Sequence, residues 1–271
     1  PGYPIYESQV YYQGGIPVPY KYIQTKNGFD IDIDSLTKSI SDRTKVLIIN
    51  NYQNPLSASS SVEELKSLAE IANKYNLWVL SDDAYFEIRY SYEDPKSIVN
   101  LPGMRKRTVI LYTFSKKFAM TGWRIGASIG PVQVIKHMAR FNVNDESCTN
   151  HFIQHALASM FNEKVDYGKA ILDTLTRRRD LCLEKLNSID GINVPTPNST
   201  FYLFPNVTEI MQRKGYKNLE KFRTDAMKST GVSFCTREHF GSPHQNEEQK
   251  YIRLAYSGIN RKDIAIGLDR F

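Results

Sequence analysis

A buried strand, a capped helix and a second buried strand follow one another in the first part of this chain, and this order strongly constrains the fold. Residues 46–49 and 77–80 are short runs that are apolar on both faces, which is typical of fully buried strands. Between them, Ser61 and Glu64 have the capping-box spacing that begins a helix. The order predicts a βαβ unit, and such units form parallel sheets with helices packed on their faces.

The pattern continues beyond this unit. Residues 109–112 and 124–129 predict a third and a fourth strand. Pro131 is well suited to the first turn of a helix, and helical spacing dominates from there to about Leu186. The first part of the chain therefore predicts an α/β domain with a mostly parallel sheet and helices on both faces.

The pattern of predicted elements changes after Gly191, where short strands and short helices alternate. This change predicts a smaller α+β domain at the C-terminal end. We place a large domain at residues 1–168 and a small domain at residues 169–271.

Composition narrows the class of protein. Hydrophobic residues make up 41% of the chain and charged residues 24%, which is ordinary for a globular protein. No apolar run is long enough to span a membrane, so we expect no membrane partner. The net charge of +6 is mild, and the basic clusters at 105–107 and 177–179 are read as solvated surface, so we expect no nucleic-acid partner.

Cysteine and histidine usage gives no sign of a metal centre. The three cysteines have neither metal-ligand nor redox spacing, which favours a reducing, cytoplasmic location. His151 and His155 lie four residues apart in a helical pattern, but surface or core placement is favoured over zinc binding. We therefore predict no metal site.

Polar side chains follow three consecutive predicted strands. In an open parallel sheet, ligands bind beyond the carboxyl ends of the strands. The segments at these ends are 50–55, 81–85 and 113–117. They bring amides, carboxylates with a tyrosine, and a lysine flanked by hydroxyls to one edge of the sheet, which predicts a site there.

The types of side chain at this edge indicate one kind of cofactor. Lys116 can form an imine with an aldehyde, and Asp82 can keep a pyridine nitrogen protonated. Thr113, Ser115 and Arg124 supply two hydroxyls and a guanidinium, a natural phosphate pocket. An aldehyde, a pyridinium and a phosphate together describe pyridoxal phosphate.

With these residues in view, the chain resembles the class I and II aminotransferases of the fold type I pyridoxal-phosphate enzymes. Five segments resemble the family's motifs in order and spacing: 1–6, Asn54-Pro55-Leu56-Ser57, Asp82-Asp83-Ala84-Tyr85, Thr113-Phe114-Ser115-Lys116 with Gly122-Trp123-Arg124-Ile125-Gly126, and Tyr251-Ile252-Arg253-Leu254-Ala255. The resemblance covers the whole chain.

The resemblance implies a role for each matching residue in cofactor binding. Lys116 would be the catalytic residue, holding the cofactor as a Schiff base and moving a proton between the substrate α-carbon and the cofactor C4′. Other cofactor contacts would be a ring-stacking aromatic, a pyridinium partner, two donors to the phenolic oxygen and three phosphate ligands: Tyr3, Asp82, Asn54, Tyr85, Thr113, Ser115 and Arg124.

The resemblance also implies the reaction and the partners. Arg253 would bind the substrate α-carboxylate as a bidentate pair, with Asn54 beside the substrate. The expected enzyme transfers an amino group from an L-amino acid to a 2-oxo acid and works as a homodimer. The cofactor motifs also suit a β-lyase, a decarboxylase or a cyclising lyase, and a non-catalytic aminotransferase-like sensor domain stays an alternative.

Two departures from the family pattern stand out. Leu56-Ser57 replaces the usual Thr-Gly after Asn54-Pro55, so the turn is expected to differ there. The family also has a substantial region before the segment that matches residues 1–6 and contains Tyr3, including a turn that binds the phosphate. Because the chain begins at Pro1 without a methionine, we expect that residues precede it in the natural protein.

Overall fold

The fold is described from a computed structural model of the chain. The structure describes residues 1–26, 28–90, 96–163, 165–244 and 247–271. Within these ranges, contacts divide the chain into two compact units. Unit 1 comprises Pro1–Ser39, Gln53–Ser59 and Asp173–Phe271, and unit 2 comprises Ile40–Tyr52 and Ser60–Leu172.

The strands of the described residues are short. In chain order they are β1 (Tyr22–Thr25), β2 (Gly28–Ile31), β3 (Val46–Ile49), β4 (Trp78–Asp82), β5 (Thr108–Thr113), β6 (Gly126–Ile129), β7 (Tyr202–Leu203), β8 (Cys235–Thr236) and β9 (Ile252–Ala255).

The α-helices of the same residues are α1 (Pro4–Tyr12), α2 (Ile33–Lys38), α3 (Val62–Lys74), α4 (Phe114–Lys117), α5 (Val132–Asp145), α6 (His151–Asn162), α7 (Lys169–Asn187), α8 (Thr208–Arg213), α9 (Leu219–Thr230) and α10 (Arg261–Arg270). Single 3₁₀ turns lie at Ile98–Asn100, Met104–Lys106, Thr121–Trp123 and Arg237–His239.

Unit 2 contains the predicted βαβ unit. Its sheet has the order β3-β4-β5-β6, with β3, β4 and β5 parallel and β6 antiparallel to β5. The mostly parallel sheet is therefore confirmed. The prediction that the first strand is fully buried is wrong: β3 lies at the edge of this sheet, and its first residue Val46 is 50% exposed.

Helix α3 begins at the predicted capping box. The Ser61 hydroxyl accepts a hydrogen bond from the Glu64 backbone N–H, and the Glu64 carboxylate accepts one from the Ser61 N–H. The helix then buries one face, formed by Leu65, Leu68, Ala69, Ile71 and Ala72. This apolar face is what fixes α3 against its unit, since a capping box contributes only about 1 kcal/mol.

The fourth predicted strand begins later than expected. Arg124 has the left-handed φ of 55°, so it belongs to the turn before β6, which starts at Gly126. A side chain on Gly126 would lie 2.6 Å from the Tyr112 carbonyl oxygen. Glycine is therefore required where β6 begins to pair with β5.

Unit 1 is built around small antiparallel sheets. Strands β7, β9 and β8 form one sheet in that order, and β1 pairs with β2 in another. An apolar cluster of Phe29, Leu56 and Phe204 lies in this unit, with Tyr251 stacked on Phe204 at a ring distance of 5.0 Å.

The domain division at residue 168 stays a prediction. Unit 2 ends at Leu172 and unit 1 resumes at Asp173, so the boundary between the units lies within α7. Unit 1 also includes Pro1–Ser39 and Gln53–Ser59. Of the helices in the described part of the chain, none combines the length and the apolar character needed to cross a membrane.

Candidate active site

The carboxyl ends of β4 and β5 lie side by side in unit 2. The two strands are parallel, with Asp82 opposite Leu111, and the Asp83 N–H donates to the Leu111 carbonyl over 2.9 Å. Thr113 ends β5 two residues beyond that pair. The sheet therefore brings the aspartate and the lysine motifs to one edge, as parallel strands do.

Asp82 is a buried carboxylate held by its own loop. Its side chain is only 8% exposed, and Oδ1 accepts the Ala84 N–H over 3.0 Å. The Asn50 amide donates to the Asp82 carbonyl over 3.0 Å and so ties the end of β4 to the segment after β3. A carboxylate fixed in this way is suited to pair with a cation at the edge of the sheet.

Lys116 and Lys117 follow β5 on the short helix α4, and they have different surroundings. The Lys116 Nζ lies 5.6 Å from the centre of the Tyr85 ring. The Lys117 Nζ instead forms an ion pair of 3.2 Å with Glu87. Tyr85 follows the buried Asp82, so Lys116 is the lysine that lies by the aspartate motif.

The hydroxyls of Thr113 and Ser115 form the start of α4. The Thr113 hydroxyl donates to the Ser115 Oγ over 2.9 Å, and the Ser115 N–H donates to Thr113 over 3.2 Å. Gly126 pairs with Thr113 across the strands, which brings the nearby Arg124 to the same edge. The exposed Arg124 guanidinium donates to the Thr121 carbonyl over 2.9 Å.

A second carboxyl, that of Asp83, is more deeply buried than Asp82. It is 2% exposed and accepts one hydrogen bond, from the Ser81 hydroxyl over 2.8 Å. Burial, only partly offset by Ser81 and reinforced by the negative charge of Asp82, raises the pKa of Asp83 to about 7. This agrees with a structural role for Asp83.

The raised pKa makes stability depend on pH. An unfolded Asp83 titrates near 3.8 and the folded one near 7, so between these values the folded state binds more protons. The free energy of unfolding is then expected to fall from pH 4 to 7, by on the order of 3 kcal/mol. Asp83→Asn should remove most of this fall, as measured by urea unfolding at each pH.

A matched control is Asp145→Asn, which changes an exposed carboxylate in the same unit. It should keep the pH dependence of the natural sequence. If the free energy of unfolding falls equally from pH 4 to 7 in the control and in Asp83→Asn, the buried Asp83 carboxyl is not the source of the pH dependence.

Arg253 lies in unit 1, on the middle strand β9 of its sheet. Its guanidinium is placed between two aromatic rings, 4.2 Å from the centre of Tyr202 and 4.6 Å from that of Phe240. The Nη1 atom donates to the Asn54 side-chain oxygen over 2.8 Å, and Nη2 lies 3.7 Å from the Cys235 sulfur. The structure therefore brings the two predicted substrate residues, Arg253 and Asn54, into contact.

The charge of Arg253 has no anionic partner in the described parts of the chain. No carboxylate there pairs with the guanidinium, and the buried Nε–H donates no hydrogen bond within the described residues. A partly buried guanidinium in this state is costly unless an anion reaches it. The arrangement is suited to bind a carboxylate supplied from outside the chain.

Tyr3 lies at the N-terminal end of α1 in unit 1. Its ring is 39% exposed and makes an edge contact with Tyr6 over 6.1 Å. Asp82, Tyr85, Thr113, Ser115, Lys116 and Arg124 all lie in unit 2, whereas Tyr3, Asn54 and Arg253 lie in unit 1. The stacking role of Tyr3 stays a prediction.

The residues that surround Arg253 could not be predicted from the sequence. Tyr202, Phe240 and Cys235 lie far from it along the chain, and no motif distinguishes them. Over the described residues, no group of three or more histidine, cysteine, aspartate or glutamate side chains is arranged to hold a metal ion.

Comparison with known proteins identifies one family. The family model described as "Aminotransferase class I and II" matches residues 1–271. The chain is 32% identical to an aspartate aminotransferase of Sulfolobus acidocaldarius, over 100% of this chain and 66% of that protein. It is 30% identical to an LL-diaminopimelate aminotransferase of Halothermothrix orenii, over 100% of this chain and 66% of that protein.

Solved structures agree with this result. An aromatic aminotransferase from Pyrococcus horikoshii OT3 has a TM-score of 0.90 and 29% identity, covering 99% of this chain and 69% of that one. The chain spans just under two thirds of the length of the curated relatives named above, 66% in each case. The names of these three proteins differ in substrate, so they agree on amino transfer and not on the amino acid.

Proposed function

This chain belongs to the class I and II aminotransferase family, and we propose that the protein it forms transfers an amino group from an L-amino acid to a 2-oxo acid. One arrangement carries the proposal: a buried aspartate and a lysine follow adjacent parallel strands, at the edge where an α/β sheet binds ligands. The family depends on pyridoxal phosphate, and the side chains at this edge are chemically suited to it.

The donor set in unit 2 fits that cofactor. Lys116 would hold its aldehyde through the side-chain amine, and Asp82 would face its ring nitrogen as a carboxylate. The hydroxyls of Thr113 and Ser115, which already meet at 2.9 Å, and the Arg124 guanidinium would hold its phosphate. When bound, the cofactor supplies an electron-withdrawing ring that stabilises negative charge on the substrate α-carbon.

Tyr85, Asn54 and Tyr3 are proposed to complete the binding of the cofactor. The Tyr85 ring lies beside the Lys116 amine, so its hydroxyl group belongs to the same surroundings. Asn54 and Tyr3 would contribute an amide and an aromatic ring. These three roles rest on the family motifs.

Lys116 is proposed to move the proton of the reaction. Its side-chain amine would act as a general base that takes the proton from the substrate α-carbon. The neighbouring Lys117 is held by Glu87 and would not take this role. Asp82 would place a negative charge near the ring nitrogen and so favour its protonated form.

Arg253 is proposed to bind the α-carboxylate that all amino-acid substrates share. Its planar guanidinium can donate two parallel hydrogen bonds, and the rings of Tyr202 and Phe240 shield these bonds from water. The carboxylate would also supply the anion that this guanidinium lacks. Because every α-amino acid carries this group, Arg253 orients substrates without selecting among their side chains.

A paired assay tests the proposed reaction. The full-length protein, loaded with pyridoxal phosphate, is mixed with a panel of L-amino acids and 2-oxo acids. We expect one amino acid and one oxo acid to form in equal amounts. Release of ammonia or carbon dioxide instead would indicate elimination or decarboxylation, and cofactor binding without any product would favour a sensor role.

A homodimer and a cytoplasmic location are part of the same proposal. Large apolar side chains are exposed on α5 and α6, including Phe141 and Phe152, which supports a surface covered by a second copy. Light scattering of the purified protein at several concentrations would measure the dimer directly. A monomer at all concentrations would contradict this part of the proposal.

A further inference from the structure

Ser57 stands in the turn where the family pattern has glycine, and its surroundings in unit 1 explain how serine is accommodated. Its φ of 58° is in the left-handed region, which is unfavourable for a residue with a side chain. The residue is 2% exposed, and its hydroxyl meets the Thr200 hydroxyl at 2.7 Å. It also donates to the Tyr202 carbonyl over 2.8 Å.

These hydrogen bonds form a closed cycle in which the donor of each bond is fixed. Because the Ser57 proton is donated to the Tyr202 carbonyl, the Thr200 hydroxyl is the donor to Ser57. The Tyr202 N–H in turn donates to the Thr200 Oγ over 3.2 Å. We call these three residues the hydroxyl ring. It joins a turn to a strand 143 to 145 residues further along the chain.

The hydroxyl ring connects Asn54 and Tyr202, two of the residues that contact Arg253. Asn54, three residues before Ser57, accepts the Nη1 hydrogen bond, and the Tyr202 ring stacks on the guanidinium. The turn is closed by the Ser57 N–H, which donates to the Gln53 carbonyl over 2.7 Å. A shift of Ser57 would therefore move Asn54 relative to Tyr202.

From this geometry we infer that Ser57 and Thr200 are positioning residues for the substrate carboxylate: through the hydroxyl ring they hold Asn54 and Tyr202 in register around Arg253. This inference rests on the proposed function, since it gives Arg253 a carboxylate to bind. Neither hydroxyl is proposed to touch the substrate. The buried hydrogen bonds offset the strain of a serine at positive φ and make the turn specific to one geometry.

Two variants each remove one hydroxyl of the hydroxyl ring. Ser57→Gly deletes the hydroxyl and suits the positive φ, whereas Thr200→Val deletes the other hydroxyl and keeps the side-chain shape. Each should raise the KM for the amino acid about fivefold and leave kcat within about twofold, because carboxylate binding is the same in the ground and transition states. The double variant should be no worse than either single one, since both break the same ring.

Thr208→Val is the matched control. It deletes a hydroxyl in the same unit that accepts the Lys250 N–H over 2.7 Å, and it has no contact with Arg253. We expect Thr208→Val to lower the Tm about as much as Ser57→Gly and Thr200→Val do, and to leave the KM for the amino acid unchanged. A KM that stays at the natural value in both ring variants would overturn the inference and leave Ser57 a purely structural residue.

A second measurement does not depend on turnover. The Arg253 Nε–Hε signal of the full-length protein can be assigned in a ¹⁵N spectrum by its loss in Arg253→Lys. We expect it to shift in Ser57→Gly and Thr200→Val but not in Thr208→Val. If the protein shows no amino transfer, the proposed function fails while this signal still decides the positioning role: an unmoved signal in both ring variants refutes it.

Discussion

Lys116→Ala is expected to lower amino-transfer turnover by more than about 10³-fold, because it removes both the proposed cofactor attachment and the proposed general base. The fold should persist, since the Lys116 side chain is only partly buried and α4 is held by the Thr113 cap. Turnover would be measured on the full-length, cofactor-loaded protein, with circular dichroism to confirm that the variant is folded.

Lys117→Ala is the matched control for this experiment. It removes the same functional group one residue away, where the ammonium forms an ion pair with Glu87 at 3.2 Å. An exposed or half-exposed ion pair contributes about 1 kcal/mol or less, so turnover should change little. Borohydride treatment followed by mass spectrometry should place the cofactor on Lys116, and attachment to Lys117 would show that the assignment is wrong.

Arg253→Met is expected to raise the KM for the amino-acid substrate about 100-fold, because it removes the proposed charged, bidentate partner of the carboxylate. Methionine has a similar length and can occupy the space between the rings of Tyr202 and Phe240. Arg253→Lys keeps the charge without the planar fork and should give a smaller increase in KM. Steady-state kinetics over a wide range of substrate concentration would measure both.

Stability separates a binding role for Arg253 from a structural one. Arg237 is a buried arginine of the same unit that pairs with Glu247 over 2.8 Å, so Arg237→Met should cost about 3 kcal/mol by leaving that carboxylate unpaired. Arg253 has no such partner in the described residues, and Arg253→Met should leave the free energy of unfolding nearly unchanged. An equal loss of stability in both variants would argue that Arg253 mainly supports the fold.

The sheet of unit 2 could be predicted because its signals are local. The strand at residues 46–49 and the capping box at Ser61 and Glu64 were read directly from a few neighbouring residues, and both are confirmed. The antiparallel direction of β6 was not predicted, because the direction of a strand depends on its pairing partner. The left-handed turn at Arg124 was missed for a similar reason, since arginine has no preference for positive φ.

In the candidate site too, some residues could be predicted from local sequence motifs and others could not. Lys116, Asp82 and Arg253 could be named from motifs, and their roles stay predictions that the variants above test. The aromatic rings around Arg253 and the hydroxyl ring at Ser57 could not be named. Their partners lie far apart in the chain, as with the 143 residues between Ser57 and Thr200, and such pairs leave no periodic pattern in the sequence.

The discontinuous composition of unit 1 has a consequence for synthesis on the ribosome. Pro1–Ser39 and Gln53–Ser59 are translated before most of unit 2, but the segment that completes their unit, Asp173–Phe271, is translated after it. Unit 2 ends at Leu172, so its last residue is added about 100 residues before Phe271, which is several seconds at ordinary elongation rates. During that interval the turn that carries Asn54 lacks its contacts with Thr200 and Tyr202, so the proposed carboxylate site is expected to form later than unit 2.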